Sequence, residues 1–166
     1  PRGEEITDLS KRPGVVKETV KFYHEDNFAR LPELTMVWPT VELYHPDSYA
    51  LDVLGQYLSR GKQAPFYQVL VEDQKLTSGV RMGNRASELA GQFQLSVRAF
   101  SDKNLDDVAG AVQEAFGKFE SEGISEKDLA RIKSGQETSF YNSLSSVLGK
   151  GFQLAQYNIF ANDPGF

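Results

Sequence analysis

Hydrophobic and polar positions alternate with a period of two in four stretches of the chain. In Val16 to Tyr23, Val16, Val20 and Phe22 share one face and Lys17, Thr19 and Lys21 the other, the pattern of a half-buried strand. Leu34, Met36 and Trp38 repeat it, and Pro39 closes it. Leu76, Ser78, Val80 and Met82 alternate with Thr77, Gly79, Arg81 and Gly83, while Phe93, Leu95, Val97 and Ala99 alternate with Gln92, Gln94, Ser96 and Arg98. A loop around Asn84 to Ala90 predicts that these last two runs pair as an antiparallel hairpin with one wet face.

Elsewhere the period becomes that of a helix. After His45-Pro46-Asp47, the residues Ala50, Leu51, Val53, Leu54, Tyr57 and Leu58 fall on one stripe, Pro46 suits a first turn, and Gly61 ends the helix. A second helix is predicted over Ala64 to Gln74 from Phe66, Tyr67, Val69 and Leu70. Asn104 can cap a third, striped by Leu105, Val108, Val112, Ala115, Phe116 and Phe119 and stopped by Gly123, with Asp106 and Asp107 at its positive end. Ser125-Glu126-Lys127-Asp128 resembles a capping box and opens a fourth through Leu129, Ile132 and Phe140. A fifth runs through Phe152, Leu154, Ala155 and Ile159.

The predicted order is therefore strand, strand, helix, helix, strand, strand, helix, helix, helix. Amphipathic strands pack most economically as one mainly antiparallel sheet with helices layered on the buried face, an α+β fold of two layers. Residues 1–14, polar and ending in Arg12-Pro13-Gly14, read as a linker from a preceding domain, and residues 15–166 as a single α+β domain. The closing Asn162-Asp163-Pro164-Gly165-Phe166 reads as a turn leading onward, so the domain is expected to be truncated at its C-terminal end.

Composition narrows the partners. A chain of 166 residues can bury a core without staples, and a formal charge of −5 supplies no basic surface to gather phosphates, which argues against nucleic acid. No apolar run reaches the roughly 18 residues of a membrane span. The polar start Pro1-Arg2-Gly3-Glu4-Glu5 is no signal sequence, and with no cysteine, disulfides and thiolate chemistry are excluded.

Candidate chemistry is thin. The chain has two histidines: His24 in the polar loop His24-Glu25-Asp26-Asn27, and His45 before a proline at a helix entrance. Neither has a helical mate one turn away, so neither reads as half of a metal site. Ser59-Arg60-Gly61-Lys62 matches a Ser-x-x-Lys string, yet it sits at a helix end and lacks the companion motifs of penicillin-recognising enzymes. The adjacent acids Glu25-Asp26, Glu72-Asp73 and Asp106-Asp107 are expected to be exposed, without the unlike environments that separate an acid from a base. Gly149-Lys150-Gly151 lacks the phosphate-loop frame. The expectation is that no residue here is catalytic, cofactor-binding or metal-binding.

Several segments together resemble the second domain of an insulinase/pitrilysin half-molecule, the family of zinc metallopeptidases that includes the mitochondrial processing peptidases. They are Leu34-Thr35-Met36-Val37-Trp38-Pro39, Asp47 to Leu54, Leu58-Ser59-Arg60-Gly61-Lys62 with Phe66 to Glu72, Ala90-Gly91-Gln92-Phe93, and Gly123-Ile124-Ser125 through Asp128-Leu129 with Lys133. The resemblance spans about residues 15–166, and it is the order of the segments that carries it. It implies the processing-peptidase-like metallohydrolase fold.

The resemblance also implies a role. Zinc is expected in a neighbouring domain, where an H-x-x-E-H motif would lie upstream, and none is expected in this chain. The implied partners are that zinc-bearing domain, a second half-molecule and a peptide substrate inside the assembled chamber. On this reading the full-length protein is a peptidase and the chain alone is inactive. Some relatives hold substrate with an arginine and a tyrosine seven positions apart; the nearest positions here, Val71 and Ser78, can do neither job. Two other classes stand beside this reading: a structural or assembly subunit that shares the fold without the zinc motif, and an unrelated binding module whose hairpin groove holds a peptide. Bacterial relatives often work in the envelope, so the resemblance points to the periplasm; the sequence by itself names no compartment.

Overall fold

The computed structural model describes Gly3 and residues 9–166. Much of the linker expected over 1–14 lies outside the described residues. The described elements are β1 (Glu33–Thr40), α1 (Pro46–Ser59), α2 (Pro65–Tyr67, continuing as a π-helical stretch Gln68–Asp73), β2 (Thr77–Ala86), β3 (Gly91–Ala99), α3 (Leu105–Glu122), α4 (Glu126–Ser143) and α5 (Val147–Phe160). The three strands form one antiparallel sheet in the order β1-β3-β2. The α+β architecture expected from the alternation is what the chain adopts.

The register explains the alternation. Leu34 and Val80 flank Val97, Met36 and Met82 flank Leu95, and Trp38 and Asn84 flank Phe93, so one face of the sheet carries an apolar row from every strand. The helices cover that face, and the core gathers Leu58, Phe66, Val69, Leu70, Leu95, Val97, Val108, Val112 and Ala115. The opposite face is polar: Glu33 accepts from the Arg98 guanidinium at 2.9 Å and from the Ser96 hydroxyl at 2.5 Å.

Local signals fall where the sequence places them. The Asn104 side chain accepts from the Asp106 N–H at 2.9 Å and begins α3. Gly123 ends it at φ 67°, in the left-handed region where a Cβ is costly. Ser125 accepts from the Asp128 N–H at 3.1 Å and donates to the Asp128 carboxylate at 2.7 Å, a reciprocal cap with Asp standing for Glu.

Four expectations need correction. Residues 16–23 form no strand: they are exposed and unpaired, with Val16 58%, Val20 59% and Phe22 88% exposed, because alternation alone does not supply a ladder partner. In β2 a bulge intervenes between Thr77 and Val80, so Thr77 rather than Ser78 turns inward opposite Ala99, and its hydroxyl donates to the Arg98 carbonyl at 2.6 Å. The loop between β2 and β3 is shorter than Asn84 to Ala90, since the ladder runs on to Ala86 and resumes at Gly91. Finally, α4 and α5 do not lie on the sheet. α4 leans on α1, burying Ile132, and α5 buries none of its residues, leaving Phe152 68% exposed.

Candidate functional site

The residues singled out for chemistry are dispersed by the fold. The backbone around His24 is exposed, and Asp26 there caps a turn by accepting from the Phe28 N–H at 2.8 Å. His45 is the N-cap of α1: its Nδ1 accepts from the Asp47 N–H at 3.2 Å, which spends that nitrogen on the helix. Ser59 donates to the Gly55 carbonyl at 2.9 Å, an i−4 bond within α1, while Lys62 lies in the exposed turn beyond. Gly149-Lys150-Gly151 is part of α5, whose N-terminus Ser146 caps by accepting from the Gly149 N–H at 3.0 Å. Val71 sits in the π-helical stretch and Ser78 at the β2 bulge.

Zinc does not fit this residue set. Tetrahedral zinc needs three or four convergent nitrogen, sulfur or carboxylate ligands. Among the described residues no group of three or more histidines, cysteines or acids converges to hold an ion, and His45 is engaged in capping.

What the fold does assemble, and the sequence reading missed, is a polar knot beside an apolar groove. Thr40 on β1 donates to Asn84 Oδ1 on β2 at 2.9 Å, and Asn84 Nδ2 donates to Ser48 Oγ on α1 at 3.1 Å. β3 lies between the two strands, and the Thr40 bond crosses it beside Gly91. A Cβ on Gly91 would stand 2.7 Å from Thr40 Oγ1 and still closer to the Val41 carbonyl, so glycine leaves the space the bond occupies. On the same helix as Ser48, burial pushes the Asp52 carboxyl above the ordinary carboxylate value, an effect that Asn84 opposes. An asparagine in an otherwise apolar inward row was the signal that could have announced this knot.

The groove has two adjoining parts. One of about 530 Å³ is walled by Pro13, Pro39, Val41, Ala50 and Leu51. The other, of about 520 Å³, runs between α1 and α3 over Met36, Trp38, Phe93 and Phe116. Trp38 packs edge-on to Phe116 at 6.0 Å between ring centroids yet keeps 38% of its surface exposed. Such a site can receive apolar side chains. The Thr40 hydroxyl in its wall is committed to Asn84.

The fold defines a class: an α+β domain in which helices cover one face of a three-stranded antiparallel sheet. The chain belongs to the family described as the peptidase M16 inactive domain, whose model matches residues 2–136. Among curated proteins, none matches the sequence significantly. Of solved structures, a protease from Helicobacter pylori superposes with a TM-score of 0.72 at 20% identity, over 82% of this chain and 33% of that one. The peptidase M16 inactive domain from Pseudomonas fluorescens gives 0.56 at 21% identity, over 63% and 26%. The inactive peptidase domain of a proposed zinc protease from Bordetella parapertussis gives 0.65 at 19% identity, over 82% and 74%. At these identities the likeness speaks for the fold, and the chain spans about a third or less of the first two proteins.

Proposed function

We propose that this chain is a non-catalytic wall domain of a zinc-dependent endopeptidase, packed on a neighbouring domain that holds the zinc and facing a second half-molecule across a closed chamber. The observation that carries the reading is the match of residues 2–136 to the peptidase M16 inactive domain. The apolar surface that α5 leaves uncovered, with Leu148, Phe152 and Ile159 each more than half exposed, supports it, since such patches mark contact with a neighbour. Val71 and Ser78, the nearest positions to the substrate-holding arginine and tyrosine of some relatives, cannot do that job, which suits the second domain of a zinc-bearing half. Peptide hydrolysis, the zinc and the chamber belong to the whole protein.

The test is a zinc titration with a peptidase assay on this chain, alone and mixed with its zinc-bearing neighbour. The reading expects neither stoichiometric tight zinc nor turnover from the chain alone, and turnover when the two are combined. Tight zinc with robust turnover from the chain alone would contradict it. A scaffold subunit would give no turnover in either arrangement.

A further inference from the structure

The face of the sheet turned away from the helices is charged. Glu33 and Arg98 stand opposite one another at one end, Arg81 stands opposite Ser96, and Arg85 stands opposite Gln92, with Gly83 between the two β2 arginines. Arg81, Arg85 and Arg98 are exposed, and a Cβ on Gly83 would meet nothing within 4 Å, so the face is open above β2. At the ladder positions of this face three arginines stand against one carboxylate, a local net of +2 in a chain whose formal charge is −5. Overall composition hides the patch, because strand pairing gathers side chains that the sequence keeps apart.

Glu33 shows how this face holds a carboxylate. It accepts from the Ser96 hydroxyl and from the Arg98 guanidinium at 2.9 Å, and those bonds, with the Arg81 charge nearby, keep it ionised below its ordinary range. Arg81 and Arg85 are donors of the same kind, yet among the described residues neither takes part in a salt bridge. Four residues apart on one strand, their Cα atoms are separated by about 13 Å. An extended peptide repeats its side chains at that same interval, so carboxylates at its positions i and i+4 meet the two guanidinium forks while the residue at i+2 passes over Gly83. Gln94, opposite Gly83, offers an amide to the backbone of such a peptide.

We propose that this open sheet face binds an extended peptide carrying acidic side chains four positions apart, with Arg81 and Arg85 as its two carboxylate forks. A long polyanion is a poorer match, because a nucleic acid or an anionic membrane meets the negative charge of the whole chain, whereas a short peptide meets only the local patch. In the wall-domain reading the bound segment is the substrate, which makes the substrate class acidic peptide. That role rests on the reading; the binding itself does not.

The test is fluorescence anisotropy of the whole chain with labelled peptides alike except at two positions four apart, occupied by glutamate, glutamine or lysine. At low salt the glutamate peptide should bind about tenfold more tightly than the glutamine peptide, and the lysine peptide more weakly than either. Arg81→Gln/Arg85→Gln should remove that preference, and Arg81→Lys/Arg85→Lys, which keeps the charge without the fork, should fall between. Lys127→Gln/Lys133→Gln takes the same charge from exposed positions of α4 and should leave the preference within about twofold. Equal affinity for the three peptides, or equal loss in the arginine and lysine variants with circular dichroism showing both folded, would overturn the proposal. So would vesicles containing phosphatidylserine that hold the chain through the same arginines and are not displaced by the glutamate peptide, which would give the face to a membrane. Mixed with its zinc-bearing neighbour, the chain should support faster cleavage of the glutamate peptide than of the lysine one; no cleavage of any peptide would count against the wall-domain reading alone, since binding is read on the chain by itself.

Discussion

A Cβ built on Gly55 of α1 would stand 2.9 Å from the Cα of Gly83 on β2, so helix and sheet meet there backbone to backbone. The contact sets how closely α1 lies on the sheet, and with it the reach of Ser48 to Asn84. Gly55→Ala should therefore destabilise the fold: overpacking costs about 1–3 kcal/mol, and the helix propensity gained returns only about 1. Gly83→Ala is the control, because a Cβ on Gly83 meets nothing within 4 Å. Urea unfolding midpoints of the two variants should differ, with Gly55→Ala the lower.

The Ser96 hydroxyl and then the Arg98 guanidinium hold the Glu33 carboxyl below its ordinary value of 4.5. A depressed carboxylate contributes stability in full above its unfolded pKa and loses it as pH falls through the folded value. The wild-type chain should lose stability as pH drops below about 4.5, with Glu33→Gln showing a flatter acid limb in denaturation curves taken from pH 6 to pH 3. Partial exposure keeps the effect small.

Asp52 has the opposite sign. Burial raises its carboxyl above the ordinary value of 3.8, so ionising it in the fold is disfavoured and stability falls as pH rises through that raised value. Asp52→Asn should raise the thermal midpoint at neutral pH and lose that advantage in acid below the ordinary value. An equal gain at both ends of the range would show that the carboxylate charge is not the cause.

Phe66 is fully buried and meets Phe116 edge-to-face at 4.9 Å between ring centroids. Phe66→Ala should cost about 3–5 kcal/mol, and Phe66→Leu clearly less, read from the same urea curves. The larger loss would come with a weakened α2 and α3 contact, visible as faster amide exchange in both helices.

Much of this architecture was legible before any coordinates. Asn104, Gly123 and Ser125 mark helix ends through bonds made within three or four residues, and such signals do not depend on the rest of the fold. The hairpin of β2 and β3 was legible from two alternating runs close in sequence. The strand expected over 16–23 shows the limit, because a period of two describes a side chain's face and not the existence of a neighbour with free N–H and C=O groups. The bulge at Thr77 to Val80 was hidden for a related reason: one extra residue flips a strand's faces without leaving a mark in composition. The knot of Thr40, Ser48 and Asn84 joins residues up to 44 positions apart, and only Asn84 in an apolar row hinted at it.

By itself the sequence determined most of the elements, the helix ends at Asn104, Gly123 and Ser125, and the absence of cysteine chemistry, since these follow from local geometry and residue inventory. Tertiary structure alone decided which edge of the sheet stays open, how closely α1 approaches β2 through Gly55 and Gly83, and that α5 carries its apolar side chains to the surface. Those outcomes rest on distances between segments remote in the chain, which packing sets and periodicity does not encode.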